Sequence, residues 1–518
     1  MKYLPRMIKC SRSLCNFWSL SSLFLILFLF SCSPPEKKDE LTLYKTYCAS
    51  CHLPPDINSL PKTIWEENIL PEMGARLGIR DSVYSPYKGL SFQEMEAVIK
   101  TGIYSPEPII DPKDWIRLKN YIIRMAPESL PIVPELSVLK DLSLFTVKDL
   151  TFKDDKGSFI THLDLQETES QILIGDLYGN LQSYNFKNKE VQNKGKYGSP
   201  VVGVTYLGQQ TVVTAIGNIR PTEISTGLLF QVDAEGGQVL PLNFHRPAFT
   251  QAFDLNKNGI EELLVSEFGD INGQLTLLYK DSKKEAFKKK TLLNSPGAIK
   301  TVIADMNNDG FEDIVVLNAQ GDEGISILYN KNNLDFELEK VLRFSPVFGS
   351  SWFELIDYNE DGYLDIVTVN GDNADKSYVM KPYHGMRIHL NDGNNSFEEA
   401  FFYPMNGATR FKASDFDQDG DTDFALISTF PDYSQNTVLS FIYLENTNSE
   451  IFDFEAKTFE TSNSARWFLM DTGDIDMDGD EDIILSSFSY GFTPVPESFK
   501  EVWEENNIDL LLLENNLN

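Results

Sequence analysis

The sequence is short of cysteine, histidine and basic residues. Its 518 residues include 5 Cys and 5 His, and 45 Lys and Arg stand against 77 Asp and Glu, which gives a formal net charge of -32. A surface with this charge repels the phosphate backbone of nucleic acid, so we exclude nucleic acid as a partner. A chain of this length is expected to form more than one domain.

Long apolar runs are also scarce, and the clearest one lies at the N-terminus. Four basic residues precede an apolar stretch at residues 17–30, which is short for a membrane span and is typical of an export signal. The segment Leu29-Phe30-Ser31-Cys32 resembles a bacterial lipobox. The resemblance implies a signal peptide at residues 1–31, a lipid on Cys32, a tether at residues 32–40 and a lipid anchor in the outer membrane of the cell envelope. An uncleaved signal anchor or a soluble secreted chain is the alternative.

Export leaves a single pair of cysteines. Cys10 and Cys15 lie in the leader and Cys32 is assigned to the lipid, so the mature chain keeps only Cys48 and Cys51. A disulfide between two cysteines so close together would not connect distant parts of the fold, so no disulfide framework is predicted.

The remaining cysteines belong to a CxxCH motif. Cys48 and Cys51 are spaced so that both thiols can bond one haem covalently, while His52 supplies an axial nitrogen to the iron. A redox CxxC and half of a zinc site are the competing interpretations. Zinc would need two more ligands, and the next Cys or His after His52 is His162. The motif therefore predicts covalent haem c.

Helical periodicity predicts a small all-α domain around this motif, at residues 41–128. Helices are expected at residues 41–51, 91–101 and 114–125, followed by a linker at residues 129–141. This order, with the attachment motif at the end of the first helix, resembles the monohaem cytochrome c fold. The resemblance implies electron transfer with a redox partner protein.

The sixth ligand of the iron is sought among methionines, because His52 is the only histidine of this domain. Met95 and Met125 lie on apolar helical stripes, which favours core packing for both. Met73 lies in a Pro- and Gly-containing segment, Leu70-Pro71-Glu72-Met73-Gly74, which we interpret as a loop of the kind that presents a distal Met. Met73 is therefore the predicted axial ligand.

From residue 142 to residue 518 the chain repeats. Five units begin with an acidic loop followed by apolar strands, and two degenerate units precede them without most of the loop carboxylates; the acidic loops begin at Asp254, Asp305, Asp357, Asp415 and Asp474. Four strands per unit is the content of a propeller blade. The last unit lacks its outer strand, and residues 142–152 are expected to supply it and close the ring. The predicted fold is a small all-α cytochrome c domain followed by an all-β seven-bladed propeller.

Each acidic loop places oxygen ligands at its positions one, three, five and nine, with Gly permitting a tight turn after position five. Hard oxygen ligands at this spacing suit calcium. The four full copies are Asp305, Asn307, Asp309 and Asp313; Asp357, Asn359, Asp361 and Asp365; Asp415, Asp417, Asp419 and Asp423; and Asp474, Asp476, Asp478 and Asp482. A weaker copy consists of Asp254, Asn256, Asn258 and Glu262. Acidic turns without metal are the alternative.

The loops and the strand repeat together resemble the FG-GAP or VCBS repeats of integrin-α-type propellers. The resemblance implies calcium within the loops, about four to five ions in all. These ions are expected to be structural, and no catalytic residue is predicted.

Two functions remain for the propeller. It is either a platform that binds a redox partner, a carbohydrate or another surface component, or a substrate-oxidising domain that passes electrons to the fused haem. The mature propeller has no cysteine for a vicinal disulfide, no GxGxxG segment for a nucleotide cofactor, and only scattered histidines at positions 162, 245, 384 and 389. We therefore favour the platform.

Overall fold

The computed structural model describes residues 39–133, 137–152, 157–233, 236–374, 377–435 and 438–517. The predicted signal peptide and the lipidation site Cys32 lie outside these residues. Within them, no helix is both long enough and apolar enough to cross a membrane.

The N-terminal module is helical, as predicted. Its α-helices are Glu40–Tyr47, Lys62–Ile64, Leu70–Arg76, Phe92–Thr101 and Pro112–Met125, with a 3₁₀ turn at Ile57–Ser59 and a π turn at Trp65–Ile69. Polar caps fix the helix starts: Asp39 accepts the amide of Thr42, and Ser91 forms a reciprocal capping box with Glu94.

Apolar stripes from these helices meet in one core. Leu43 of the first helix and Leu118 and Ile122 of the last are fully buried there. Trp65 and Trp115 complete the cluster, and the Trp65 indole donates to the carbonyl of Ile57 at 2.9 Å. The module is small, so the burial of these large side chains in a single core is its main source of stability.

The rest of the chain forms seven antiparallel sheets of four strands each, which confirms the predicted seven-bladed propeller. Blades one to three consist of Ile160–Gln166, Gln171–Asp176, Asn180–Asn185 and Glu190–Lys196; Val201–Leu207, Gln210–Ala215, Leu228–Asp233 and Gly236–Val239; and Pro247–Phe253, Glu262–Glu267, Gln274–Tyr279 and Lys288–Leu293. Blades four and five consist of Ala298–Ala304, Asp313–Asn318, Gly324–Asn330 and Phe336–Arg343, and of Ser350–Ile356, Asp365–Asn370, Gly385–Asn391 and Phe397–Pro404. Blade six consists of Ala408–Ser414, Asp423–Ser428, Phe441–Asn448 and Asp453–Lys457.

Blade seven is built from both ends of the propeller sequence. Trp467–Gly473, Asp482–Ser487 and Leu510–Asn515 come from the C-terminal part, and Phe145–Leu150 pairs with the last of them as the outer strand. The predicted role of residues 142–152 is therefore confirmed. This pairing leaves no open sheet edge at the closure of the ring. A helix at Glu497–Asn506 lies between the second and third strands of this blade.

The first strand of each blade is the innermost one, since it contacts the first strands of both neighbouring blades around the ring. Second strands are buried along their whole length from blade three onward, whereas outer strands such as Phe336–Arg343 are largely exposed. This gradient explains why the second strands are continuous apolar runs in the sequence.

The helical module packs on one face of the propeller. Val347, Phe348, Val379 and Tyr383 join the core of the module, and the Tyr383 hydroxyl donates to the carbonyl of Ser59 at 2.9 Å. Val347 and Phe348 lie in the connection that leads into the first strand of blade five. Val379 and Tyr383 lie in the connection that follows the second strand of that blade. In an antiparallel blade such connections lie opposite the turns between first and second strands, so the module and the acidic loops occupy opposite faces.

Candidate metal centres

The acidic loops connect the first and second strands of blades three to seven, and they share one backbone conformation. In blade four, Asp305 accepts the amides of Asp309 at 3.1 Å and Gly310 at 2.8 Å through its two carboxylate oxygens. Asn308 and Gly310 have φ values of 56° and 85°. The left-handed turn at Gly310 explains the glycine of the repeat. The loop is thus folded around its own carboxylate.

The first, third and fifth side chains of a loop converge. In blades six and seven, carboxylate oxygens of three residues lie within 4.8 Å of one another: Asp415, Asp417 and Asp419, and Asp474, Asp476 and Asp478. Burial and the neighbouring carboxylates raise the pKa of Asp417 and of Asp476. Oxygen ligands so arranged fit a hard divalent cation, which would relieve this repulsion.

The predicted ligand at the ninth position has hydrogen-bond partners that the ligand spacing did not indicate. Asp313 is fully buried, and its two carboxylate oxygens accept the amides of Met306 at 3.0 Å and Asn330 at 2.8 Å. Asp423 and Asp482 have the corresponding bonds, and burial raises the pKa of each to about 7. The ninth carboxylate therefore ties the loop to the third strand, a structural role that ligand spacing alone did not reveal.

An asparagine at the end of the third strand belongs to the same network. Asn330 donates its side-chain amide to the carbonyls of Glu312 at 3.0 Å and Leu255 at 2.8 Å, and Asn515 donates to Phe416 at 2.8 Å. Leu255 and Phe416 belong to the loops of the preceding blades. In blades four and seven the loop is thereby fastened to that of the preceding blade, and the recurrence of this asparagine in the repeats was the signal for it.

The seventh position was also missed. Asp421 and Asp480 add carboxylates to the loops of blades six and seven, where the corresponding residues of other loops are apolar or aromatic. Burial, Asp419 and Asp417 raise the pKa of Asp421 to about 6. These two loops are therefore the most acidic of the five.

The loop of blade three keeps the conformation with fewer charges. Asp254 accepts the amides of Asn258 at 3.0 Å and Gly259 at 2.7 Å, and the buried Glu262 accepts the amide of Leu255 at 2.9 Å. Burial raises the pKa of Glu262 to about 7. Asn256 and Asn258 supply neutral oxygens, as expected for a weaker copy.

At the attachment motif, Cys48 caps the C-terminus of the first helix, and both cysteines are free thiols. Cys48 packs against the core of the module, whereas Cys51 is exposed. Burial raises the pKa of the Cys48 thiol to about 12, which disfavours the thiolate that a redox CxxC needs. His52 places Nδ1 at 2.8 Å from the carbonyl of Leu53, a contact that does not occupy Nε2, the nitrogen that a metal would use.

Met73 is not in a loop, contrary to our prediction. It lies within the helix Leu70–Arg76, because Pro71 occupies the first turn of a helix, where proline is tolerated. Met73 is half-buried and packs against the core that Cys48 also contacts. The prediction of a core position for Met125 was wrong as well, since Met125 is 51% exposed.

The neighbouring Glu72 anchors the segment that follows this helix. Only 4% of Glu72 is exposed, and its carboxylate accepts hydrogen bonds from the hydroxyls of Tyr84 and Tyr104 and from Nε of Arg76. Burial, followed by Glu72, raises the pKa of both tyrosines. Met73 is therefore held on a helix that is fixed by a polar network.

The helix Phe92–Thr101 has an apolar face without a partner. Phe92 is 74% and Ile99 is 55% exposed, with Met95 half-exposed between them, and only Val98 is buried. Within the described residues, no side chain of this helix belongs to the core cluster of the module. The sequence predicted that this stripe would pack, and the part of the chain that the structure describes does not cover it.

Comparison with known proteins agrees with this architecture in one region. The sequence pattern of the FG-GAP-like repeat family matches residues 305–368, which span the loops of blades four and five. No curated protein matches the chain. The protein is a seven-bladed β-propeller with a helical module at its N-terminus. More particularly, the propeller carries an FG-GAP-like repeat.

Solved propellers show only distant likeness. The WD40 domain of Neurospora crassa Pan2 is 10% identical with a TM-score of 0.43, over 73% of this chain and 98% of that one. The β-propeller domain of Myceliophteria thermophila Cps50 (Swd1) is 9% identical with a TM-score of 0.40, over 65% and 96%. The N-terminal domain of Nup159 is 16% identical with a TM-score of 0.39, over 73% and 97%. The blade count therefore rests on the strand pairing of this chain.

Proposed function

We propose that the protein is a haem-c electron-transfer lipoprotein whose calcium-stabilised propeller is a docking platform. The observation that carries the proposal is the attachment motif: two free cysteines and a histidine, at the end of a helix, with the histidine held through Nδ1. A c-type haem supplies reversible one-electron chemistry when it is bound.

The residues of the module fit such a group. Cys48 and Cys51 would hold it through thioether bonds, and His52 would ligate the iron through Nε2. The exposed apolar face at Phe92 and Ile99 supports the proposal, because a haem buries apolar surface that this module leaves uncovered. The raised pKa of Cys48 disfavours the competing redox chemistry of a CxxC pair.

We propose Met73 as the sixth ligand. Met73 and Cys48 pack against the same core cluster, whereas Met95 lies on the helix that contributes nothing to it. The hydrogen bonds to Glu72 hold the helix of Met73 in place. A thioether on that side of the module would complete a His and Met ligand pair.

A haem stain and absorption spectra of three purified proteins test this assignment. The wild type should retain haem on a denaturing gel and show the far-red sulfur-to-iron charge-transfer band when oxidised. Met73→Ala should lose the band while keeping the covalent haem, and the matched Met95→Ala variant should keep both. Loss of the band in Met95→Ala alone would move the ligand to Met95, and a wild type without covalent haem would refute the electron-transfer proposal.

Calcium binding is the second part of the proposal. The converging carboxylates of blades six and seven support it, together with five loops of one conformation. The ions would stabilise the face of the propeller away from the helical module. Because the helical module and the acidic loops lie on opposite faces, each can bind its own partner. The haem module would bind a redox protein, and the acidic face would bind a carbohydrate or another surface component.

Addition of sugars or alcohols to the oxidised protein separates the platform from an oxidising enzyme. A platform leaves the haem oxidised, whereas a substrate-oxidising propeller would reduce it. Membrane anchoring through Cys32 belongs to the same proposal. Wild type in the membrane fraction and Cys32→Ala in the soluble periplasmic fraction would support it, and equal partitioning of the two would contradict it.

A further inference from the structure

The central channel of the propeller carries a group of charges that neither haem nor calcium accounts for. All seven innermost strands contain a bulge between their first and third residues, so equivalent residues lie at the same level around the ring. Fourth residues such as Phe353 and Phe411 are fully buried between blades. Because side chains alternate along a strand, third and fifth residues face the channel.

The third residues of the seven innermost strands together form one level of the channel, which we call the third-residue level, and this level is basic. It contains Lys300, Trp352 and Arg410 on three consecutive blades, and no acidic residue occupies this level in any of the seven strands. Nζ of Lys300 lies 3.6 Å and the guanidinium carbon of Arg410 lies 4.3 Å from the centre of the Trp352 ring. Two cations therefore contact one aromatic side chain.

Neither cation has a full set of partners. Lys300 is 9% exposed, its nearest carboxylate is that of Glu354 at 3.9 Å, and its ammonium donates no hydrogen bond within the described residues. Arg410 donates to two backbone carbonyls through Nη1 alone, those of Ser351 and Thr409. A desolvated ammonium and guanidinium with unused donors are costly unless an anion joins them.

The fifth-residue level, nearer the calcium loops, is arranged differently. There Lys412 forms an ion pair with Asp471 at 2.8 Å, and Asp471 also accepts the amide of Leu165 at 3.0 Å. Burial lowers the pKa of Lys300 to about 7 although Glu354 acts in the opposite direction, whereas Asp471 and Glu354 raise the pKa of Lys412 despite its burial. Lys412 therefore has a close ion pair, whereas the nearest carboxylate of Lys300 lies at 3.9 Å and, among the described residues, the charged form of Arg410 is favoured only by the field of Asp372.

We propose that the third-residue level of the channel binds a small dianion of the dicarboxylate or tetrahedral oxyanion class. The Lys300 ammonium and the Arg410 guanidinium hold it beside Trp352. The site lies on the side of the channel toward the helical module, away from the acidic loops, and it is independent of both haem and calcium.

Calorimetric titration of the calcium-loaded full chain tests the site, with succinate and sulfate as separate probes at matched ionic strength. Saturable binding of at least one probe is expected, weakened at least tenfold in Lys300→Gln and in Arg410→Gln. Lys331→Gln, an equal charge change on the outside of blade four, should leave binding unchanged. The tighter probe identifies the shape of the anion.

Labelling of the wild type keeps the test independent of how the variants fold. Succinate or sulfate should protect Lys300 from acetylation by acetic anhydride, measured by mass spectrometry, and should leave Lys331 equally reactive. Absence of saturable binding for both probes, unchanged binding in both Gln variants, or equal labelling of Lys300 with and without the probes would overturn the proposal.

Discussion

Blades one and two are built without the acidic loops that connect the first two strands of blades three to seven. Blade one makes this connection with a short 3₁₀ turn at Glu167–Glu169, and blade two makes it with two residues, of which Gly208 has a φ of 59°. Both blades nevertheless have four strands in the same order as the others. A blade therefore needs the strands and not the carboxylates.

The acidic loops must accordingly be explained by something other than blade formation. Burial and then the repulsion of neighbouring carboxylates raise the pKa of Asp417 and Asp476, which destabilises a metal-free loop at neutral pH. A cation converts the same cluster into a stabilising feature. The contrast between the two kinds of blade predicts that metal stabilises blades three to seven and has no such effect on blades one and two.

The largest expected effect follows from removing calcium. Excess chelator should lower the melting temperature by about 10 °C or more, since several sites each contribute on the order of 2–3 kcal/mol when saturated. Hydrogen exchange should accelerate at the amides of Gly310, Gly362 and Gly420, which the loops hold. Blades one and two should exchange as before. An unchanged melting temperature, or a uniform response in all blades, would break the comparison.

The buried ninth carboxylate should respond differently from the first. Asp423→Ala removes the acceptor for the amides of Phe416 and Asn446 and for the hydroxyl of Tyr443, and should cost about 3 kcal/mol of unfolding free energy. Because these bonds do not involve metal, the loss should persist in chelator. Asp415→Ala should destabilise mainly when calcium is present. Denaturant unfolding with and without calcium distinguishes them, and equal calcium dependence would refute the structural role of Asp423.

Acid sensitivity should come in part from a buried histidine rather than from the loops. Burial, followed by Arg387, lowers the pKa of His389 to about 4, and neither ring nitrogen has a hydrogen-bond partner among the described residues. Between pH 6.5 and 4 the unfolded chain therefore binds the extra proton, and stability falls as the pH falls. His389→Leu should recover about 2 kcal/mol at pH 5 relative to pH 7, with or without calcium. An unchanged pH profile would contradict this.

The smallest effects should distinguish one acidic loop from another. Asp417→Asn removes a charge from the loop of blade six, and Asn256→Asp adds one to the loop of blade three. Calcium affinity should fall several-fold in the first loop and rise several-fold in the second, about 1 kcal/mol in opposite directions. Exchange at Gly420 and Gly259 as calcium is titrated reports on each loop separately. Changes of the same sign would show that loop charge does not set the affinity.

Much of the architecture was predictable because it depends on local periodicity. The repeat spacing gave the seven blades, and the missing strand of the last repeat identified residues 142–152 as its partner, which Phe145–Leu150 fulfils. The apolar stripes of the helical module gave three of its helices to within about four residues, but not the helical turns from Lys62 to Arg76. These features follow from backbone hydrogen bonding and alternation of apolar residues.

Other features could not be predicted because they depend on residues far apart in the chain. Pro71 and Gly74 indicated a loop at Met73, but packing of the module favours a helix there. Ligand spacing predicted Asp313 as a calcium ligand, and the amide bonds that it also accepts become visible only when Asn330 is placed beside it. The meeting of Lys300 and Arg410 at Trp352 joins three blades.

By itself, the sequence determined the CxxCH motif, the acidic loops and the number of blades, since each is written in neighbouring residues or in a regular repeat. Only the tertiary structure decided which loop oxygens remain for a cation, which side of the module Met73 occupies and which charges meet in the channel. The physical reason is closure of the ring. It brings equivalent positions of separate repeats to one level, where burial and unpaired charge are properties of the assembled blades and not of any single one.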